Sequence, residues 1–110
     1  MVMEQQTYQW CAARAVVFKA LGHPTRVFLV RELGKGEECV CRLTEKVGAD
    51  MSTVSKHLSI LKNAGVVSDE KRGLQVYYRL RIPCILSVFG CVDSVMEENL
   101  RDQQAVVNEQ

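Results

Sequence analysis

The sequence predicts a mainly α chain with a small β-hairpin, in the order α-α-α-α-β-β-α. Three observations carry this. Four runs with apolar residues at helical spacing are separated by breaks rich in Gly and Pro; two β-branched and aromatic runs flank the charged turn Glu70-Lys71-Arg72-Gly73; and a long helical period follows Pro83. With 110 residues, 47% of them hydrophobic and 25% charged, the chain has the size and balance of one domain, 1–110.

The first helix is predicted over about 5–21, where Cys11, Ala15 and Phe18 recur at helical spacing beside Val16 and Val17. Gly22-His23-Pro24-Thr25 breaks it and starts the next, because proline fits a first helical position; Val27, Leu29, Val30 and Leu33 then resume the period until Gly34-Lys35-Gly36. A third helix is predicted from Cys39 to Val47, with Val40, Leu43 and Val47 on one stripe and Gly48 free to close it in the left-handed conformation. The fourth opens on the cap-type residues Ser52 and Thr53 and closes at Gly65. Val54, Leu58 and Leu61 share its buried stripe, which turns Ser55, Lys56 and Ser59 away from the core. Val66-Val67-Ser68 and Leu74 to Leu80 form the hairpin, with Val76, Tyr78 and Leu80 alternating with Gln75, Tyr77 and Arg79 as one buried face requires. The last helix, about 83–106, carries Leu86, Phe89, Val92, Met96 and Leu100.

Fourteen Lys and Arg against thirteen Asp and Glu leave a net charge of +1, which excludes a globally polycationic nucleic-acid wrapper. The charge is unevenly spread: Ser52 to Arg81 carries +4 and Asp93 to Gln110 carries −4. The longest nearly apolar stretch, Ile82 to Val92, is about half of the roughly 18 residues a membrane span needs, so no membrane association is expected. Glu4, Gln5, Gln6 and Gln9 stand where a secretory signal needs cations and an apolar core, which predicts a cytoplasmic protein. Five cysteines without an export signal read as thiols for metal or redox chemistry and not as a disulfide framework. No Cys-x-x-Cys, Gly-rich phosphate loop or Cys/His/Asp set points to an enzyme.

Two short helices joined by a tight turn and followed by a hairpin with a basic tip are the parts of a winged helix-turn-helix. Its basic face attracts phosphate. Ser52, Thr53, Ser55 and His57 are short enough to touch backbone or base edges from a helix start in the major groove, and Lys56, Lys62, Lys71 and Arg72 carry the positive charge. A chain this small leaves the apolar stripe of its final helix uncovered, so a symmetric dimer on palindromic double-stranded DNA is expected.

Four blocks in order, Leu21-Gly22-His23-Pro24-Thr25-Arg26, Glu38-Cys39-Val40-Cys41-Arg42-Leu43, Ser52-Thr53-Val54-Ser55-Lys56-His57-Leu58 with Leu61 to Val67, and Arg72-Gly73 with Val76 to Leu80, resemble the ArsR/SmtB transcriptional repressors. The resemblance runs from about Ala13 to Leu80. It implies a homodimer held by the helices at about 5–21 and 83–106, with a DNA-reading core at about 22–81. Such a dimer binds operator DNA without a cofactor and dissociates when an inducer binds. It also implies reading-helix contacts at Ser52, Thr53, Ser55, Lys56 and His57 and wing contacts at Lys71 and Arg72.

Cys39 and Cys41 stand at the start of the third helix, where the helix dipole favours thiolates, and soft ligand pairs select soft ions. Residues i and i+2 of a regular helix point about 200° apart, so both sulfurs reach one ion only if that first turn is extended. Arsenic-sensing members of the family carry a third cysteine one turn on, where this sequence has Thr44. Three thiolates for As(III) or Sb(III) therefore require Cys11, Cys84 or Cys91, from the same chain or its partner; Cd(II) and Pb(II) are further candidates. The alternative is thiol oxidation or persulfide chemistry at the same cysteines. The zinc-sensing branch uses histidines on the last helix, which has none here.

Overall fold

The computed structural model describes residues 2–108, in the order α1 (Gln5–Leu21), α2 (Pro24–Leu33), β1 (Glu38–Cys39), α3 (Val40–Val47), α4 (Met51–Asn63), β2 (Val67–Arg72), β3 (Gln75–Leu80) and α5 (Ile85–Asn108). The five helices and the hairpin stand in the expected order. β1 is an addition: it pairs antiparallel with β3, Glu38 opposite Tyr78 and Cys39 opposite Tyr77, giving a three-stranded sheet of order β1-β3-β2.

Local chemistry sets most boundaries. His23 is the N-cap of α2, its Nδ1 accepting the Thr25 backbone N–H at 3.1 Å, with Pro24 following. α4 begins one residue earlier than expected. Its cap is Asp50, whose Oδ1 accepts both the Thr53 N–H and the Ser52 hydroxyl at 2.8 Å. The hairpin turn is tighter than the charged run suggests: Arg72 pairs with Gln75, leaving Gly73-Leu74 as a two-residue loop. Gly73 has φ +63°, the conformation a first central residue needs in a type II′ turn, so Lys71 and Arg72 belong to the strand.

The core joins Leu29 and Val30 of α2, Leu43 of α3, Val54, Leu58 and Leu61 of α4, and Val66 and Val67, all at most 1% exposed. Tyr78 of β3 and Ile85 of α5 close it. Leu86 of α5 packs over Gly34, the C-cap of α2, where a Cβ would stand 2.7 Å from its Cδ1, so a larger residue there would make the Leu86 side chain shift.

α1 and α5 reach far beyond this core. α5 has 24 residues, roughly 36 Å of helix, and only Ile85, Leu86 and Phe89 of it are buried or half-buried. Val88, Val92, Met96 and Leu100 stand exposed along it, as do Tyr8, Trp10, Val16 and Phe18 along α1. The radius of gyration is 17.8 Å, against about 13 Å for a compact chain of this size. The accessible surface of 8169 Å² exceeds that of a compact monomer by about 2,000 Å². Phe18, Val27, Val88, Val92 and Met96 line a groove of about 770 Å³ between α1, α2 and α5. Among the described residues no helix is long and apolar enough to cross a membrane.

Candidate nucleic-acid interface and thiol site

α3 and α4 pack together through Leu43, Val54 and Leu58, with Gly48-Ala49-Asp50 between them, and α4 presents Ser52, Thr53, Lys56 and Ser59 to solvent. Hydrogen bonds from Thr53 and then Ser52 hold the Asp50 carboxyl below the usual carboxylate range, so the cap stays ionised at neutral pH. Ser55 is half-buried at the edge of the stripe. Lys56 and Lys71 make no ion pair among the described residues, which leaves both charges free for an external anion.

Three residues expected among the DNA contacts are already engaged within the chain. Lys62 pairs with Asp69 at 3.0 Å across the α4–β2 junction. Arg72 is clamped: its Nη1 and Nη2 donate to Glu37 at 2.6 and 3.0 Å, Nη2 donates to Glu70 at 2.9 Å, and its guanidinium lies 4.7 Å over the Tyr77 ring. The Glu37 and Glu70 carboxylates raise the Arg72 pKa further, and Arg72 in turn lowers that of Glu37. His57 points not to solvent but toward the start of α2, where its ring lies against His23, tilted by 42° with centroids 4.5 Å apart. The reason is its place on the helix: position 57 borders the buried stripe of Val54, Leu58 and Leu61.

An arginine can only donate, so Arg26 Nη1, 3.1 Å from His57 Nδ1, makes that nitrogen an acceptor. Burial first, then His23 and Arg26, push the His57 pKa below its ordinary 6.5. Protonation would place a hydrogen on Nδ1 against the arginine and add a charge beside His23. Well above pH 6.5 folded and unfolded chains are both neutral at this residue. Below it the unfolded chain takes the proton first, so stability falls until the folded imidazole also titrates. Thermal melts from pH 7.5 to 5 are expected to show this decline in the wild type and a flatter profile in His57→Gln; equal slopes would remove His57 as its source.

The two central thiols occupy a structural junction. Cys39 is the last residue of β1 and the N-cap of α3, extended at φ −80° and ψ 156°, and Cys41 lies in the first helical turn. The pair is therefore not two residues of one regular helix, and part of the extension that shared ligation requires is already built. Both are half-buried. The Cys39 N–H donates to Glu38 Oε1 at 3.1 Å, and Lys46 lies 3.6 Å from Glu38 and 3.8 Å from Glu32 of α2. Thr44 donates its hydroxyl to the Val40 carbonyl at 2.8 Å, inside α3. Cys11, Cys84 and Cys91 are exposed. Cys84 lies in the turn before α5, not on the helix with Cys91 as expected, because the chain leaves Pro83 through single-turn hydrogen bonds. Among the described residues no three Cys, His, Asp or Glu side chains gather to hold a metal ion.

Residues 23–69 match the model of the bacterial regulatory protein, arsR family. The chain is 34% identical over 82 residues to an uncharacterized HTH-type transcriptional regulator of Methanocaldococcus jannaschii, covering 74% of this chain and 92% of that one. It is 39% identical over 66 residues to an arsenic resistance transcriptional regulator of Pseudomonas putida, covering 59% of this chain and 52% of that protein, so the match spans about half of that relative's length. The solution structure of a homodimeric winged helix-turn-helix DNA-binding domain from Mycobacterium bovis superposes with a TM-score of 0.76 at 27% identity, covering 91% of this chain and 93% of that one. The helix-turn-helix of α3 and α4, the β2–β3 wing and these similarities lead to one conclusion: the chain belongs to the ArsR/SmtB family of winged helix-turn-helix transcriptional regulators.

Proposed function

We propose that the protein is a homodimeric repressor that holds a palindromic operator through α4 and the wing and leaves it when a thiophilic metalloid or soft metal binds Cys39 and Cys41. The observation that carries this reading is the position of Cys39, which ends β1, pairs with the wing strand β3 and caps α3. Drawing two sulfurs onto one ion at about 2.3 Å displaces that residue. The displacement reaches the wing through β3 and the reading helix through α3. The arsenic resistance relative supports As(III) as the inducer class.

Ser52, Thr53, Ser55, Lys56 and Lys71 carry the first DNA contacts, with Lys62 and Arg72 joining once their intramolecular pairs open. A third thiolate comes from Cys11, Cys84 or Cys91, all exposed and all on or beside the helices whose apolar faces await a partner. The excess surface of about 2,000 Å² matches what an obligate homodimer buries.

The DNA half of the proposal is tested by Lys56→Glu in fluorescence anisotropy on a duplex from the region upstream of the protein's own coding sequence. The variant is expected to bind roughly tenfold or more weakly and to lose about one unit of the slope of log affinity against log salt. Unchanged affinity would mean that α4 faces a protein partner and not DNA.

A further inference from the structure

We infer that Glu37 acts as a built-in competitor of DNA phosphate, holding Arg72 off the duplex until docking displaces it. This inference rests on the DNA-binding reading and goes beyond it, because it assigns a regulatory role to a carboxylate outside both the helix-turn-helix and the wing. The Glu37 carboxylate offers Arg72 two parallel acceptors, the same fork geometry that a phosphate offers to a guanidinium. Tyr77 stacks beneath the guanidinium and fixes its plane, so the arginine exchanges the two carboxylate oxygens for two oxygens of a tetrahedral phosphate without refolding the wing. Each partner of the pair is 42% exposed. Exposed ion pairs are weak, and the concentrated charge of a duplex can displace one.

Two neighbours define the exchange. Glu70 stays beside Arg72 on the same strand and keeps it oriented in the free protein. Arg79 lines the same cleft as Glu37 and Tyr77, so Glu37 retains a cation nearby when Arg72 leaves. The clamp also touches the thiol site, since Glu37 directly precedes β1 and Cys39 lies two residues on, opposite the same Tyr77 on which Arg72 stacks.

The test is a double-mutant cycle read by anisotropy on the upstream duplex across a salt series, with wild type, Glu37→Gln, Arg72→Ala and the double variant, thermal melts verifying that all four fold. Glu37→Gln is expected to tighten binding by about twofold to fivefold, the range an exposed pair represents. That gain is expected to vanish in the Arg72→Ala background. Arg72→Ala alone is expected to lower the salt slope by about 0.9, one phosphate contact. Equal tightening by Glu37→Gln with and without Arg72 would reduce Glu37 to a repelling charge, and an unchanged slope in Arg72→Ala would mean that Arg72 never reaches DNA; either overturns the inference while the repressor reading stands. A wild type that binds no duplex at low salt would overturn both.

Discussion

Cys39→Ser and Cys41→Ser are each expected to keep operator affinity within about twofold of wild type, as substitutions remote from DNA do, and to lose release by soft ions. The reason is a separation of roles. The structural duties of Cys39 are carried by its backbone: the register with Tyr77, the N–H donated to Glu38 and the extended conformation before α3. Serine preserves all three and is itself a preferred N-cap, so Cys39→Ser should fold at least as well as the parent. What it removes is the soft ligand. Loss of one thiolate is expected to move the inducer concentration at half-release by roughly 100-fold or more, beyond the range of outer-shell changes. Serial Cys11→Ser, Cys84→Ser and Cys91→Ser variants, titrated with arsenite on the same DNA, then identify the third ligand as the one whose loss reproduces the Cys39→Ser result. Full release in a Cys39→Ser/Cys41→Ser double variant would place the sensor elsewhere.

Val92→Glu combined with Met96→Glu is expected to convert the protein to a folded monomer and weaken operator binding by roughly 100-fold or more, the avidity lost when one of two linked half-sites disengages. Val92 and Met96 are 51% and 56% exposed in the isolated chain, so charge there costs little to the protomer fold. The same positions line the groove between α1, α2 and α5, and burying two carboxylates in an apolar interface is strongly unfavourable. Sedimentation analysis with circular dichroism separates the outcomes. A monomer with unchanged helicity bears out the assignment of α5 as a dimer helix; an intact dimer would show that the exposed stripe serves another purpose.

The fold was legible wherever the signal was local. The Pro24 start of α2, the Gly48 and Gly65 stops and the stripe of Val54, Leu58 and Leu61 are each decided within a few residues, and the structure has all of them. β1 was not legible, because two residues carry no periodicity and exist as a strand only through pairing with β3 nearly forty positions on. The candidate interface was half legible for the same reason. Counting charges between Ser52 and Arg81 treats every cation as free, whereas the Arg72 partner Glu37 stands 35 residues away and the His57 partner Arg26 stands 31 away. Sequence spacing identifies which side chains can leave the core; it does not identify which of them already hold another side chain. The Cys39/Cys41 pair was visible as a motif, but its value as a junction between β1, β3 and α3 emerged only with the sheet register.

The central claim, that ligation of Cys39 and Cys41 releases DNA, is tested most directly by one titration. The reduced wild-type protein is bound to its fluorescent upstream duplex at fixed salt, and arsenite, Cd(II), Pb(II), Zn(II) and a polysulfide are added to separate samples. Anisotropy is expected to fall to the value of free DNA with arsenite or a soft divalent ion. A complex that survives every ion and dissociates only with polysulfide would contradict thiolate ligation and make the same cysteines a redox switch.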